Sequence, residues 1–378
     1  HIIWSNVYDE YDDVYVSQVL FDSTGNMIVV GAAWLYMNEF DVFIQKYGPS
    51  GELLAETTFG GNSSEFPWGA FFSDDGSLVV VSHTLGGKIT ILRYGENLEL
   101  IKIVELGQKV ETCSIVGMDD HIYILRSSEN ISTVYKYDLD GILKFNVAIN
   151  ITARGLKSYE GKLYTVGYRG EENFLVRIDA DGNIEKFVSI PSWRGLRPSI
   201  SNIVNDRVYI ILYDPWKDYT DAYLLCVDVD GEVIWEGKLW EADSDTTYIL
   251  EGFTVDEYDD AIVAMKSFRT IATEPPCSES YPGELVIFGS AGEKLLHVEN
   301  FTDRYEFLLD LEYHKKHIYS SSFTYSGGSC VSILRKIRII GENTPDQQML
   351  YIILACTALV VVSIIIVVFI KRRRPNKL

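Results

Sequence analysis

Residues 73–81 read Ser73-Asp74-Asp75-Gly76-Ser77-Leu78-Val79-Val80-Val81. A polar turn containing a glycine runs straight into a short apolar, β-branched segment, which is a tight turn followed by a strand. The same kind of run returns at Asn26-Met27-Ile28-Val29-Val30-Gly31, His121-Ile122-Tyr123-Ile124-Leu125, Lys162-Leu163-Tyr164-Thr165-Val166 and Arg207-Val208-Tyr209-Ile210-Ile211. Outside the carboxy-terminal region no stretch carries a useful helical period, so the fold class is all-β.

Two series of turns alternate along the chain. One holds Ser23-Thr24-Gly25-Asn26, Asp74-Asp75-Gly76, Asp119-Asp120, Glu160-Gly161, Asn205-Asp206, Asp259-Asp260 and Lys315-Lys316. The other holds Pro49-Ser50-Gly51, Gly95-Glu96-Asn97, Asp140-Gly141, Asp181-Gly182, Asp230-Gly231, Ala291-Gly292 and Gly341-Glu342-Asn343. Each series recurs at intervals of roughly 40 to 60 residues, which predicts four strands per repeat and a seven-bladed β-propeller. The seventh repeat lacks an outer strand before the linker. Ile2-Ile3-Trp4-Ser5-Asn6 resembles the outer strand Val233-Ile234-Trp235-Glu236 and is expected to close the ring.

Asp41 to Leu53, Thr58-Phe59-Gly60-Gly61-Asn62 and Ser73 to Val80 together resemble the bacterial β-propeller repeat family. The likeness spans roughly residues 25 to 85, and later repeats keep only the turn. It implies a propeller in an extracytoplasmic setting and carries over no catalytic residue.

Met349 to Ile370 contains no charge, and as a helix it would span about 33 Å, enough for one bilayer crossing. Lys371, Arg372, Arg373, Arg374 and Lys377 follow, which predicts a cytoplasmic tail and an exterior amino terminus. The expected organisation is an extracellular propeller over 1–340, a linker over 341–348, a transmembrane helix over 349–370 and a basic tail over 371–378. The expected location is the plasma membrane, with a single pass. His1 is expected to follow a removed signal peptide. The net charge is −21, and removing the five cations of the tail leaves the exterior part five lower, at −26. That balance excludes nucleic acid as a partner, because phosphate binding needs a basic face. Asn62, Asn130, Asn150 and Asn300 begin glycosylation acceptors. With only five Gln in the chain, they point to an archaeal envelope glycoprotein.

In a propeller both series of short turns fall on one face, and the longer connections fall on the other. Long connections on a rigid scaffold are where binding residues concentrate, with aromatic and Arg residues as anchors. The candidates are Trp34, Tyr36, Trp68, Tyr168, Arg169, Trp193, Arg194, Arg197, Tyr213, Trp216, Tyr219, Arg269 and Tyr281. The short linker predicts that the short-turn face sits over the membrane and that this face looks outward.

No catalytic set, P-loop, zinc-type His pair or Cys-x-x-Cys occurs, and no cofactor or metal is called for. Asp138-Leu139-Asp140-Gly141, Asp179-Ala180-Asp181-Gly182 and Asp228-Val229-Asp230-Gly231 invite a calcium reading, but none continues into a twelve-residue loop with a closing Glu. They read as hairpin turns. Cys113 and Cys226 are expected free and buried. Cys277 and Cys330 are expected in adjacent loops, bridged, and worth about 4 kcal/mol on the chain-entropy estimate. The functional expectation is a surface binding or scaffolding protein that engages a protein or glycan. The alternative is an anchored glycoside hydrolase or lyase acting at the propeller centre, which would need at least two carboxylates and an Arg at the channel mouth.

Overall fold

The computed structural model describes residues 2–337 apart from 9–13, 37–38, 62, 85–86, 110–113, 193–195, 214–220, 241–245, 257, 272–276, 281–283, 299–305, 315–316 and 327–328. Residues 2–337 form one compact unit made of seven antiparallel sheets. The chain opens with β1 (Ile2–Tyr8). Blade 1 is β2 (Val14–Phe21), β3 (Met27–Tyr36), β4 (Glu39–Tyr47) and β5 (Leu53–Phe59). Blade 2 is β6 (Glu65–Phe72), β7 (Leu78–Thr84), β8 (Lys88–Tyr94) and β9 (Leu100–Lys109). Blade 3 is β10 (Ser114–Met118), β11 (His121–Ser128), β12 (Ile131–Asp138) and β13 (Leu143–Ile149). Blade 4 is β14 (Thr152–Tyr159), β15 (Lys162–Arg169), β16 (Glu172–Ile178) and β17 (Ile184–Ile190). Blade 5 is β18 (Arg197–Val204), β19 (Arg207–Tyr213), β20 (Ala222–Asp228) and β21 (Val233–Trp240). Blade 6 is β22 (Thr246–Val255), β23 (Ala261–Ile271), β25 (Glu284–Phe288) and β26 (Lys294–Val298), with β24 (Cys277–Ser280) paired to the far end of β23. Blade 7 is β27 (Glu306–His314), β28 (His317–Ser326) and β29 (Ser329–Ile337), and β1 lies antiparallel to β29 as its fourth strand. The inner strands β2, β6, β10, β14, β18, β22 and β27 touch one another in sequence, and β27 returns to β2.

The apolar runs are continuous because both faces of each blade are buried. Alternate residues of one strand go to opposite neighbours. Val79 and Val81 of β7 pack towards blade 3, with Ile122 and Ile124, while Leu78 and Val80 pack towards blade 1, with Ile28 and Val30. In β19, Tyr209 and Ile211 join blade 6, and Val208, Ile210 and Leu212 join blade 4. Each fully buried aliphatic side chain contributes about 1.5–3 kcal/mol of transfer free energy, so a seam with ten of them dominates the local energetics.

The short-turn end is closed by two devices. First, Asp22, Asp138, Asp179, Asp228 and Asp256 each accept backbone N–H groups two and four residues on, with distances of 2.7 to 3.0 Å. The first aspartate of each of the three Asp-x-Asp-Gly turns therefore serves the turn itself, while Asp140 pairs with Lys102 and Asp230 with Lys186. The Asn183 side chain and backbone donors hold the Asp179 carboxyl below its ordinary range. Glycine takes the left-handed position, as at Gly182 (φ +90°). Second, a cation from one blade reaches the carbonyl of the second turn residue in the next. Lys46 donates to Glu96 O, Lys136 to Ala180 O, Arg177 to Val229 O, Arg207 to Ser290 O and Lys336 to Pro49 O, at 2.8 to 3.3 Å. The last of these crosses from blade 7 to blade 1.

Gly182 also lies against Phe145 of blade 3, where a Cβ would come within 2.9 Å of the ring. Gly182→Ala should therefore lower stability by about 1–2 kcal/mol or more, since left-handed backbone and crowding act together. Urea unfolding checks this. At the same end, Asp260 is pushed up to about 6, by burial first and then by Asp256. A raised carboxyl gives stability that is full below its ordinary pKa and lost as pH rises through the raised value. Asp260→Asn should thus gain on the native chain by about 1 kcal/mol, after allowance for solvent screening, between about pH 4 and pH 7. Melting temperatures across that range test the sign.

Candidate functional site

The long-connection face differs from the sequence expectation. Most of its expected loops are continuations of strands. Trp34 and Tyr36 lie in β3, Trp68 in β6, Tyr168 and Arg169 at the end of β15, Arg197 at the start of β18, Tyr213 at the end of β19 and Arg269 in β23. Beyond Arg269 the strand continues to Ile271, and Phe268 to Ile271 pair with Cys277 to Ser280 of β24. The period-2 alternation continues past the last aliphatic residue of each run, so aromatic and charged residues occupy the strand ends. Trp193, Arg194, Trp216, Tyr219 and Tyr281 lie outside the described residues. So do Asn62 and Asn300. Asn130 and Asn150 are exposed at the same end of blade 3, and the Asn130 backbone N–H donates to Thr152 Oγ1 at 3.1 Å.

The structure brings Tyr168 and Arg197 together at the seam between blades 4 and 5. Asn173, 1% exposed, donates to the carbonyls of Pro191 and Leu196. That anchors the connection leading into β18 and so places Arg197. The Arg197 guanidinium lies 3.7 Å from the centre of the Tyr168 ring and donates to Gly170 O at 2.9 Å. Arg154 approaches the same ring at 5.9 Å. It precedes a register shift between Arg154 and Leu156, where Gly155 is held by Thr165 Oγ1. Among the described residues neither Arg154 nor Arg197 has a carboxylate partner. Arg169 sits over Phe174 at 5.0 Å, with Glu172 4.0 Å away. Arg154 is not among the sequence candidates, although Asn150 to Gly155 reads as a long connection; the structure places it in β14. Its one signal in the sequence is the adjacent Gly155, which marks an irregularity.

Trp34 and Trp68, the candidate tryptophans within the described residues, belong to an aromatic chain across blades 1 and 2. Trp34 meets Phe40 edge-on at 4.8 Å, Phe40 meets Phe66 at 5.2 Å, and Phe66 meets His83 at 5.7 Å. Trp68 stacks on His83 at 3.8 Å and packs against the core between blades 2 and 3. Burial lowers the His83 pKa, against the opposing hydrogen bond to Phe66 O, so His83 is neutral at physiological pH. Trp68 thus has a packing role. Glu39, Asp41 and Glu65 lie at the same end of these blades. Burial raises the Asp41 carboxyl, and Glu39 raises it further. Burial also raises Glu65, and repulsion from Asp41 and Glu39 adds to this against hydrogen bonds from Ser63 and Gly61.

Cys226 is buried and free, and burial pushes its thiol up to about 12, which leaves it unreactive. Cys277 begins β24 and Cys330 lies in β29, so both stand on strands where loops were expected. Cys113 lies outside the described residues.

No family model matches the chain, and no curated protein does. Solved structures do. The WD40 β-propeller domain of Doa1 aligns with a TM-score of 0.51 at 14% identity, over 87% of this chain and 95% of that one. The AfRom2 CNH domain aligns with a TM-score of 0.50 at 8% identity, over 89% and 100%. BamB from Moraxella catarrhalis aligns at 0.49 and 12% identity, over 91% and 99%. At these identities the likeness to the Doa1 domain concerns the fold alone, a β-propeller, and the seven blades are counted in the sheets of this chain.

Glu65→Gln should raise the melting temperature relative to the native chain near neutral pH, with the gain vanishing in acid. The raised Glu65 carboxyl contributes stability that is lost as pH rises, and glutamine removes that loss. A Glu65→Gln chain that gained only in acid would contradict the assigned environment.

Proposed function

We propose that the chain is a membrane-anchored binding or scaffolding protein of the cell surface. Its propeller engages an anionic partner, either a surface protein or an acidic glycan, through the long-connection face at the seam of blades 4 and 5. The observation that carries this reading is the Arg154–Tyr168–Arg197 cluster. The chain has 54 acidic residues against 33 basic ones, yet these two guanidinium groups flank one aromatic ring without a carboxylate among the described residues. Arg is matched to planar carboxylate or sulfate groups, and a tyrosine face suits a sugar ring or an aromatic side chain.

The rest of the reading is sequence-borne. Residues 349–370 would supply the anchor, 371–378 the cytoplasmic tail and 341–348 the linker between anchor and propeller. Asn62, Asn130, Asn150 and Asn300 would carry glycans clear of the membrane. The bridge between Cys277 and Cys330 would tie blade 6 to blade 7. Strand β1 would keep the ring shut by covering the edge of β29, so deletion of residues 2–8 should lower the melting temperature markedly.

A glycan array of acidic and neutral oligosaccharides, together with titration of the best binder, tests the function. Acidic ligands should bind, and Arg154→Ala with Arg197→Ala should weaken binding by about tenfold to a hundredfold. Unchanged melting temperature would show that the fold survives the substitutions. Binding that ignores both arginines, or a preference for neutral ligands, would overturn the assignment.

A further inference from the structure

We infer that Asn130 and Asn150 take their glycans only while the seam between blades 3 and 4 is open. The closed seam consumes the hydroxyl that each acceptor needs, so modification precedes closure. The inference rests on the reading of these two asparagines as glycan acceptors and adds the state of the chain in which they are used.

A glycan acceptor has two parts, an asparagine amide and a hydroxyl two residues on. In Asn130-Ile131-Ser132 and Asn150-Ile151-Thr152 the fold treats the two parts differently. Both asparagines are exposed, one at the tip between β11 and β12 and one on the connection from β13 to β14. Ser132, by contrast, is fully buried. Its hydroxyl donates to Ile151 O and accepts from Ala153 N–H, each at 2.8 Å, and Ser127 Oγ lies 2.8 Å away. A hydroxyl offers one proton and two lone pairs, so these partners leave nothing for an outside group.

The other hydroxyl is engaged in return. Thr152 Oγ1 accepts the backbone N–H of Asn130 at 3.1 Å. Asn130 itself is left-handed, with φ +64°, which is the geometry of a tight hairpin tip. The hydroxyl of each acceptor therefore holds the segment that carries the other. Ser132 fixes residues 151–153, and Thr152 fixes the tip at Asn130. Ser127 donates to Ala153 O, and Ser114 Oγ accepts the N–H of Leu156 at 3.1 Å, so further hydroxyls of blade 3 grip the same strand. Ile151, Ala153 and Leu156 are buried in the core shared by blades 3 and 4.

In the transfer the Asn amide nitrogen bonds to C1 of a sugar carried on a lipid phosphate. The bond from C1 to the phosphate oxygen breaks, and the lipid phosphate leaves with one amide proton. The transferase reads the hydroxyl of the same acceptor. To present Ser132 it must pull that residue out of the seam, which bares Ile151 and Ala153 and leaves their backbone groups unpaired. The folded chain is thus modified only as often as the seam opens.

The full-length chain, made in a host without N-glycosylation and kept folded in detergent, should be incubated with a purified oligosaccharyltransferase and a lipid-linked oligosaccharide. Peptides 126–136 and 146–156 serve as the open forms of the two acceptors. Mass spectrometry reads occupancy at Asn130 and Asn150. Both peptides should be modified, and the folded chain should react at least about tenfold more slowly. Ser127→Ala keeps both acceptors and loosens the seam, so it should raise the rate on the folded chain by about threefold or more. In the unmodified chain Ser132→Ala should lower the melting temperature, whereas Asn150→Gln should leave it unchanged. Equal rates on folded chain and peptides, no gain with Ser127→Ala, or an unchanged melting temperature for Ser132→Ala would overturn the inference and leave the acceptors standing. Failure of both peptides to react would overturn the acceptor reading itself.

Discussion

Two-sided burial of each sheet is the constraint on which this molecule depends. The inner three strands of a blade have no solvent face, so their apolar residues must alternate between two neighbours, and only the outer strand meets water. The β7 segment shows this within four residues. Leu78 and Val80 serve one seam, and Val79 and Val81 serve the other. A single polar residue at such a position would leave an unsatisfied group in one seam, while the other stayed intact.

Burial alone does not fix how far one blade may slide on the next. The latches at the short-turn end do that. A lysine or arginine reaching one particular carbonyl in the neighbouring turn sets the rise and rotation between blades. Glycine in the same turn lets the preceding outer strand come close, as Phe145 does at Gly182 and Trp235 at Gly292. Backbone donors and aspartates satisfy one another within each turn, so this end spends its polar groups on itself. The opposite end is where unpaired chemistry accumulates. Among the described residues, guanidinium groups without a carboxylate partner stand at one seam, and carboxylates without a Lys or Arg partner at another. Both lie where strands from adjacent blades converge, which is why residues distant in sequence, such as Arg154 and Arg197, share one ring.

The fold was legible in the residues to a large degree. Seven recurrences of two turn types gave the blade count, and β-branched runs gave the strands. Most turn residues took the geometry their chemistry demands. The extent of the strands was less legible. Trp34, Trp68 and Tyr168 read as loop residues because the aliphatic run had ended before them, yet cross-strand pairing carried the sheet on. Trp68 in particular is absorbed by stacking on His83, a contact between residues fifteen positions apart that no local pattern announces.

By itself the sequence determined the periodicity, the all-β class, the turn chemistry and the excess of acidic charge. These depend on neighbours within a few residues or on composition, and a linear chain displays them directly. Only the tertiary structure decided which charges are compensated. Asp179 and Glu65 are both carboxylates near a turn or connection, indistinguishable by type. One is held by amides of its own hairpin, while the other is buried at a blade seam with one oxygen left without a hydrogen-bond partner. The energy of a charge depends on what surrounds it in space, and ring closure alone brings those surroundings together.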